Sequence, residues 1–254
     1  MRHQRVDWTL RRIVAVAVLA AALAIGFVAL TFAANSKGTD GSDKMRGTEQ
    51  ADKIDGGRGD DYIVGLGGDD DLNGGPDSDS IDGGPGNDHV YGGSCEYGED
   101  GLGRYCDNPG NELLLGGDGN DVVQANSCVA KGCANDRYIA LASTLDGGAG
   151  DDVVTGGDAS DKLSGGDGND TLAGLAGDDR LDGGAGDDHL DGGAGNDTLI
   201  GGSGKNVLVG GAGKDRIYAR DRRRDRVDCG PGKDFVSADK GDVLRHCERV
   251  RRSR

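Results

Sequence analysis

Aspartate recurs in this chain at a fixed phase. Read in nines from Gly38, the sixth residue is Asp43, Asp52, Asp61, Asp70, Asp79 and Asp88. A second unbroken block from Gly147 gives Asp152, Asp161, Asp170, Asp179, Asp188, Asp197 and Asp215 at the same phase, with Asn206 as its exception. One clean unit between the blocks, 116–124, adds Asp121. Counting the split units with Glu112 and Ser143 and the degenerate units with Asp225 and Asp234, aspartate holds 16 of 19 positions. Acids spaced in this way suit two kinds of chemistry: oxygen ligation of a hard cation, or paired general acid and base work. The elements that carry them decide between the two.

Two residues after each acid stands an aliphatic residue or methionine, from Met45, Ile54 and Ile63 to Ile217, Val227 and Val236, in all 19 units. A disordered low-complexity chain has no reason to keep one apolar residue in one phase. Nine residues hold a strand of about three and a turn of about six, and glycines at positions 1, 2 and 4 allow φ > 0 and close chain approach. In the strand, position 8 points inward while 7 and 9 point outward. Two units then make one coil, and stacked coils pair their strands in parallel about 4.8 Å apart. The expected architecture is all-β, a parallel solenoid with two nonapeptides per coil.

In that stack each turn lies against the turn two units later, so position-6 carboxylates face each other. Like charges at such range repel unless a cation lies between them. Carboxylates together with glycine carbonyls make a flexible all-oxygen site, which suits calcium better than zinc or magnesium. Units such as GGDGNDTLA, GGAGDDHLD and GGAGNDTLI closely resemble the RTX (haemolysin-type) calcium-binding nonapeptide G-G-x-G-x-D-x-U-x, over about residues 38–237. The resemblance implies a right-handed parallel β-roll with calcium between its turns. It also implies that Asp43, Asp52, Asp61, Asp70, Asp79, Asp88, Asp121, Asp152, Asp161, Asp170, Asp179, Asp188, Asp197 and Asp215 are ligands, helped by carbonyls of the glycine turns. Gln50, Asp77 and Ala159 depart from the pattern by replacing the position-4 glycine, and Asn206 lacks the charge.

Charge and composition agree. The chain has 254 residues, 50 of them glycine and only ten aromatic, too little bulky material for a conventional layered core. Its formal charge is −16, which excludes nucleic acid as a general partner. Residues 35–218 alone carry 13 basic and 37 acidic side chains, a net −24. Same-side neighbours within the two blocks offer places for about ten calcium ions, and the ion-free chain is expected to repel itself. Folding coupled to calcium in the extracellular range, roughly 10⁻⁴ to 10⁻³ M, follows.

Residues 1–34 are a different polymer. Arg2, Arg5, Arg11 and Arg12 precede an apolar run from Ile13 to Ala34, which reads as a cleaved secretory signal or, if retained, a signal anchor. Both put the remainder outside the cytoplasm, secreted or held at the outer surface by residues 13–34; a membrane is a partner only in the uncleaved form. Six cysteines fit that compartment, with local pairs Cys95–Cys106, Cys128–Cys133 and Cys229–Cys247 expected from proximity. The first two pairs lie in insertions near 94–110 and 125–143 that open the repeat.

Apparent catalytic motifs dissolve into the repeat. Glycine strings of dinucleotide type recur in register, GGSGKN at 201–206 lacks the Ser or Thr of a phosphate loop, and neither H-E-x-x-H nor G-x-S-x-G occurs. Adjacent acids such as Asp60–Asp61 and Asp187–Asp188 are positions 5 and 6 of a turn, and His89 and His189 sit at outward position 7. Residues 219–254 carry 12 basic and 7 acidic side chains and read as degenerate repeats ending in a basic cap, with a cell-envelope polymer or cell-surface ligand as candidate partner. The sequence thus points to a non-enzymatic exported calcium-binding scaffold, adhesion element or calcium buffer. The alternatives are a surface recognition protein, or a carbohydrate-active or hydrolytic enzyme, using the insertion loops.

Overall fold

A computed structural model describes residues 31–32, 35–93, 96–97, 104–105, 112–125 and 142–253. Most of the apolar run 13–34 lies outside these residues, as do Cys95, Cys106, Cys128 and Cys133. Among the described residues no helix is long and apolar enough to cross a membrane.

The described residues wind into a solenoid with two parallel sheets, of 12 and 11 strands. Successive strands alternate between the sheets, so each pairs with the strand one coil later. Lys162 lies beside Arg180 and Leu163 beside Leu181 in one sheet; Thr171 lies beside His189 and Leu172 beside Leu190 in the other. The offset is 18 residues, two nonapeptides. Most strands are three residues long with the middle one buried, as in Val153–Thr155 and Thr171–Ala173. That short alternation lets one aliphatic side chain per strand build the core. Every position-8 residue from Met45 to Val236 is at most 3% exposed.

Position 1 and positions 2 and 4 use glycine for different reasons. Gly166 at position 2 and Gly168 at position 4 have φ of +107° and +143°, where a side chain is strained. Gly156 at position 1 has ordinary backbone, but a Cβ there would lie 2.8 Å from Asp161 Oδ2 and 2.9 Å from the carbonyl oxygen of Gly174. Close approach of oxygens, rather than positive φ, reserves position 1 for glycine. Non-glycine residues do occupy left-handed positions, with Leu66 at 91°, Leu175 at 75° and Asp77 at 87°.

The insertions leave the stack unbroken. Leu113 pairs with Ser80 across 33 residues of sequence, and Thr144 pairs with Leu113 across 31. Both excursions therefore leave adjacent coils at the same edge. The basic C-terminal segment continues both sheets, through Arg226–Asp228 and Val243–Arg245 in one and Phe235–Ala238 and Arg249–Arg252 in the other. Cys229 and Cys247 form a disulfide that ties this last part of the solenoid together.

Candidate metal centre: two seams of buried carboxylates

Position 6 stands just before the strand and shares the inward side with position 8, so its carboxylate is carried into the stack. All 14 expected aspartates are 7% exposed or less, and most are at 3% or below. They fall into two rows, one on each side of the solenoid. The first row runs Asp43, Asp61, Asp79, Glu112, Ser143, Asp161, Asp179, Asp197, Asp215, Asp234 and Glu248. The second runs Asp52, Asp70, Asp88, Asp121, Asp152, Asp170, Asp188, Asn206, Asp225 and Asp242.

Within a row each acid is held by the coil before it. The Asp43 N–H donates to Asp61 Oδ1 at 2.8 Å, the Asp61 N–H to Asp79 Oδ1 at 2.9 Å, and the Asp70 N–H to Asp88 Oδ1 at 2.8 Å. The ladder crosses the insertions without a gap in the second row, from Asp88 to Asp121 Oδ1 and from Asp121 to Asp152 Oδ1, both 2.7 Å. One oxygen of each carboxylate is thereby fixed and the other is left. In Asp61, Asp70, Asp79, Asp88, Asp121, Asp152, Asp170, Asp179, Asp188, Asp197 and Asp215 that second oxygen, Oδ2, is buried without any hydrogen-bond partner. A buried oxygen with no donor is costly and calls for a positive group.

Three expected ligands differ. Asp43 Oδ2 accepts from the Thr39 N–H at 2.6 Å and the Thr39 hydroxyl at 2.8 Å, and Thr48 treats Asp52 the same way. Asp161 Oδ2 accepts from the Gly157 N–H at 2.7 Å. These oxygens already have donors. Conversely, the structure adds acids that the site assignment passed over. Asp225 and Asp234 leave Oδ2 unpartnered, and Glu112, Asp242 and Glu248 accept the ladder bond from Asp79, Asp225 and Asp234 respectively. One extra residue, Ala219, shifts Asp225 and Asp234 by one from the phase of nine, and the last coils are shorter, so Asp242 and Glu248 fall further out of phase.

Burial sets the acidity of these groups. Loss of solvent, reinforced by neighbouring carboxylates and opposed by the backbone N–H, pushes Asp61, Asp70, Asp88, Asp121, Asp152, Asp188 and Asp197 up to about 6. Asp179 rises to about 7 and Asp79, beside Glu112, to about 9. The rows hold negative charge reluctantly unless something neutralises it.

A second ladder lies outside the first. Position-5 side chains accept from the N–H one coil later, in the opposite sense: the Asn120 N–H donates to Asn87 Oδ1, the Asp151 N–H to Asn120 Oδ1 and the Asn169 N–H to Asp151 Oδ1. These residues satisfy the turn backbone, a role that their place at position 5 does not by itself reveal. Asp, Asn or Ser recurring at position 5 was the available signal.

Among the described residues no three His, Cys, Asp or Glu side chains converge on one point. A cation here must therefore take backbone oxygens as well. The position-1 glycines supply them, since the Gly74 carbonyl and Asp61 Oδ2 both crowd the space above Gly56, and the Gly183 carbonyl and Asp170 Oδ2 that above Gly165. The residues present fit a hard, oxygen-loving ion. Comparison with family models matches the RTX calcium-binding nonapeptide repeat at residues 37–72, 64–94, 108–128, 142–172, 164–199 and 200–221. The chain belongs to the RTX repeat family. Its repeats are calcium-binding ones, and RTX repeat proteins are typically secreted, with which the Cys229–Cys247 disulfide agrees. Comparison with curated proteins gives no match.

Proposed function

We propose that the two carboxylate rows are calcium seams, and that ion binding and folding of this RTX roll are one event. The observation that carries this is the row of buried Oδ2 atoms left without donors at one phase of the repeat. Their holders, from Asp61 to Asp215 and on to Asp225 and Asp234, are the ligands, with position-1 carbonyls such as those of Gly74 and Gly183 beside them. Asp43, Asp52 and Asp161, whose Oδ2 already accepts a hydrogen bond, are weaker ligands. Calcium supplies the positive charge that these oxygens lack.

The carboxylate ladder joins eight acidic pairs along the first row. It joins seven along the second. The ion number therefore exceeds the ten expected from the two unbroken blocks, because the rows run on across the insertions and through the C-terminal coils. The protein is a non-enzymatic extracellular scaffold or adhesion element that stays loose where calcium is scarce and orders where it is plentiful. In support, the buried acids among the described residues all belong to the two rows.

Calcium titration by calorimetry, with circular dichroism alongside, tests the proposal. The chelated chain is expected to lack the β-roll spectrum at pH 7 and to gain it in millimolar calcium. A chelated chain as ordered and as heat-resistant as the loaded one overturns it.

A further inference from the structure

The last three coils carry, on the outer face of the 12-stranded sheet, residues that neither the seams nor the core uses. Phe235 pairs in register with Arg216 on one side and Arg249 on the other. Both arginines are exposed and Phe235 is half-buried. In the next outward row, Tyr218 and Arg251 flank Ser237. Tyr218 is 39% exposed and meets Phe235 edge-on, with ring centroids 6.5 Å apart. Among the described residues no carboxylate forms an ion pair with Arg216, Arg249 or Arg251, whereas Arg180, in the same row nearer the middle, pairs with Asp182 at 3.6 Å.

We propose that this Arg216–Phe235–Arg249 ladder, with Tyr218 and Arg251, binds a linear acidic polysaccharide lying along the solenoid axis. Flat aromatic groups offer an apolar face to the C–H side of a sugar ring, and unpaired guanidiniums offer a two-pronged partner to its carboxylate. The spacing selects the polymer further. Arg216 and Arg249 stand two strands apart, about 9.6 Å at a strand spacing of about 4.8 Å. That is close to one disaccharide of an extended chain, so charge on alternate sugars fits. Charge distribution selects the place, since residues 219–254 carry 12 basic and 7 acidic side chains while residues 35–218 carry a net −24. With the seams loaded by calcium the acidic body is largely neutralised, and a polyanion is drawn to this end, where basic side chains outnumber acidic ones. Single-stranded nucleic acid also combines rings with charge, but it carries one charge on every nucleotide, closer together than Arg216 and Arg249 stand.

The inference rests on the calcium-folded roll proposed above. Its test is fluorescence anisotropy of labelled hyaluronate with the full chain in millimolar calcium, with circular dichroism in the same buffers. Hyaluronate is expected to bind, neutral dextran not, and added salt to weaken binding. The double variant Arg249→Ala/Arg251→Ala, on the exposed last strand, is expected to bind about tenfold more weakly, the factor that 1.4 kcal/mol represents. Phe235→Ala should lose a similar factor, while Arg180→Ala stays at the parent value. Absence of hyaluronate binding by the folded chain, unchanged affinity of the double variant, or tighter binding of oligo(dT) overturns the proposal. If order proves independent of calcium while binding still follows the arginines, the seams fail and this surface stands.

Discussion

The Asp188 N–H donates to Asn206 Oδ1 at 2.9 Å, and this bond turns the Asn206 amide so that its Nδ2 lies buried with no acceptor. At that place in most of the other coils an unpartnered carboxylate oxygen stands. Flipping the amide would set two donors against each other, so Asn206 presents a donor to its seam. The second seam is therefore interrupted between Asp188 and Asp225. Asn206→Asp restores the oxygen and completes two acidic pairs, with Asp188 and with Asp225, so the calcium stoichiometry from calorimetry is expected to rise by about two. The chelated variant should be less stable at pH 7, since an unneutralised buried charge replaces a neutral amide.

Acidity gives a second expectation, with a defined sign. The buried acids titrate at about 6 in the ion-free fold, against an ordinary value of 3.8. Between those values the folded chain binds more protons than the unfolded one, so its stability falls as pH rises. Stability of the chelated protein is greatest below about 3.8, is lost through about 6, and keeps falling toward 9 on account of Asp79. Thermal melts in chelator should show order gained on acidification from pH 7 to about 4.5. In saturating calcium the trend reverses, because protons compete for the ligands.

Backbone strain gives a third. Leu175 sits at position 2 with φ of 75° and is 40% exposed, where most units place glycine. Leu175→Gly removes a left-handed penalty of about 1 kcal/mol and leaves the carbonyl that accepts from the Ala194 N–H at 2.8 Å. The melting temperature in saturating calcium is expected to rise by roughly 2–4 °C.

The disulfide gives a fourth. Cys229 and Cys247 are 18 residues apart, and removing the link by the double alanine variant is expected to cost about 3 kcal/mol locally. Coils interact only with their neighbours, so the damage should stay at that end. Hydrogen exchange is expected to accelerate at Val227, Val236 and Leu244 and to remain unchanged at Leu172 and Leu190.

The fold was legible because one aliphatic per nine residues leaves no other way to bury it. Met45 to Val236 and the aspartates from Asp43 to Asp215 could be placed by counting. Counting stops where coil length changes, so Asp242 and Glu248 were read as part of a cap although they continue the rows. Nor does spacing show which oxygen a neighbour has already taken. Thr39, Thr48 and the Gly157 N–H set Asp43, Asp52 and Asp161 apart, and that depends on how each turn closes. Position 5 went unread for another reason: its Asn and Asp residues look like ordinary solvated turn polarity until the backbone donors one coil away are seen.

The carboxylate ladder has a direction. Each position-6 N–H waits for an acid from the coil that follows it in sequence. At the beginning of the second row the unused group is an acceptor, Asp52 Oδ1, which water or a cation can serve. At the far end of the first row the loose group would be a donor, and the chain meets it with Glu248 Oε2 on the Asp234 N–H at 2.9 Å. The two ends of the molecule are thus unequal to trimming: shortening from the front bares carboxylate oxygens that either water or a cation can serve, while shortening from the back bares N–H donors that water can serve and a cation cannot.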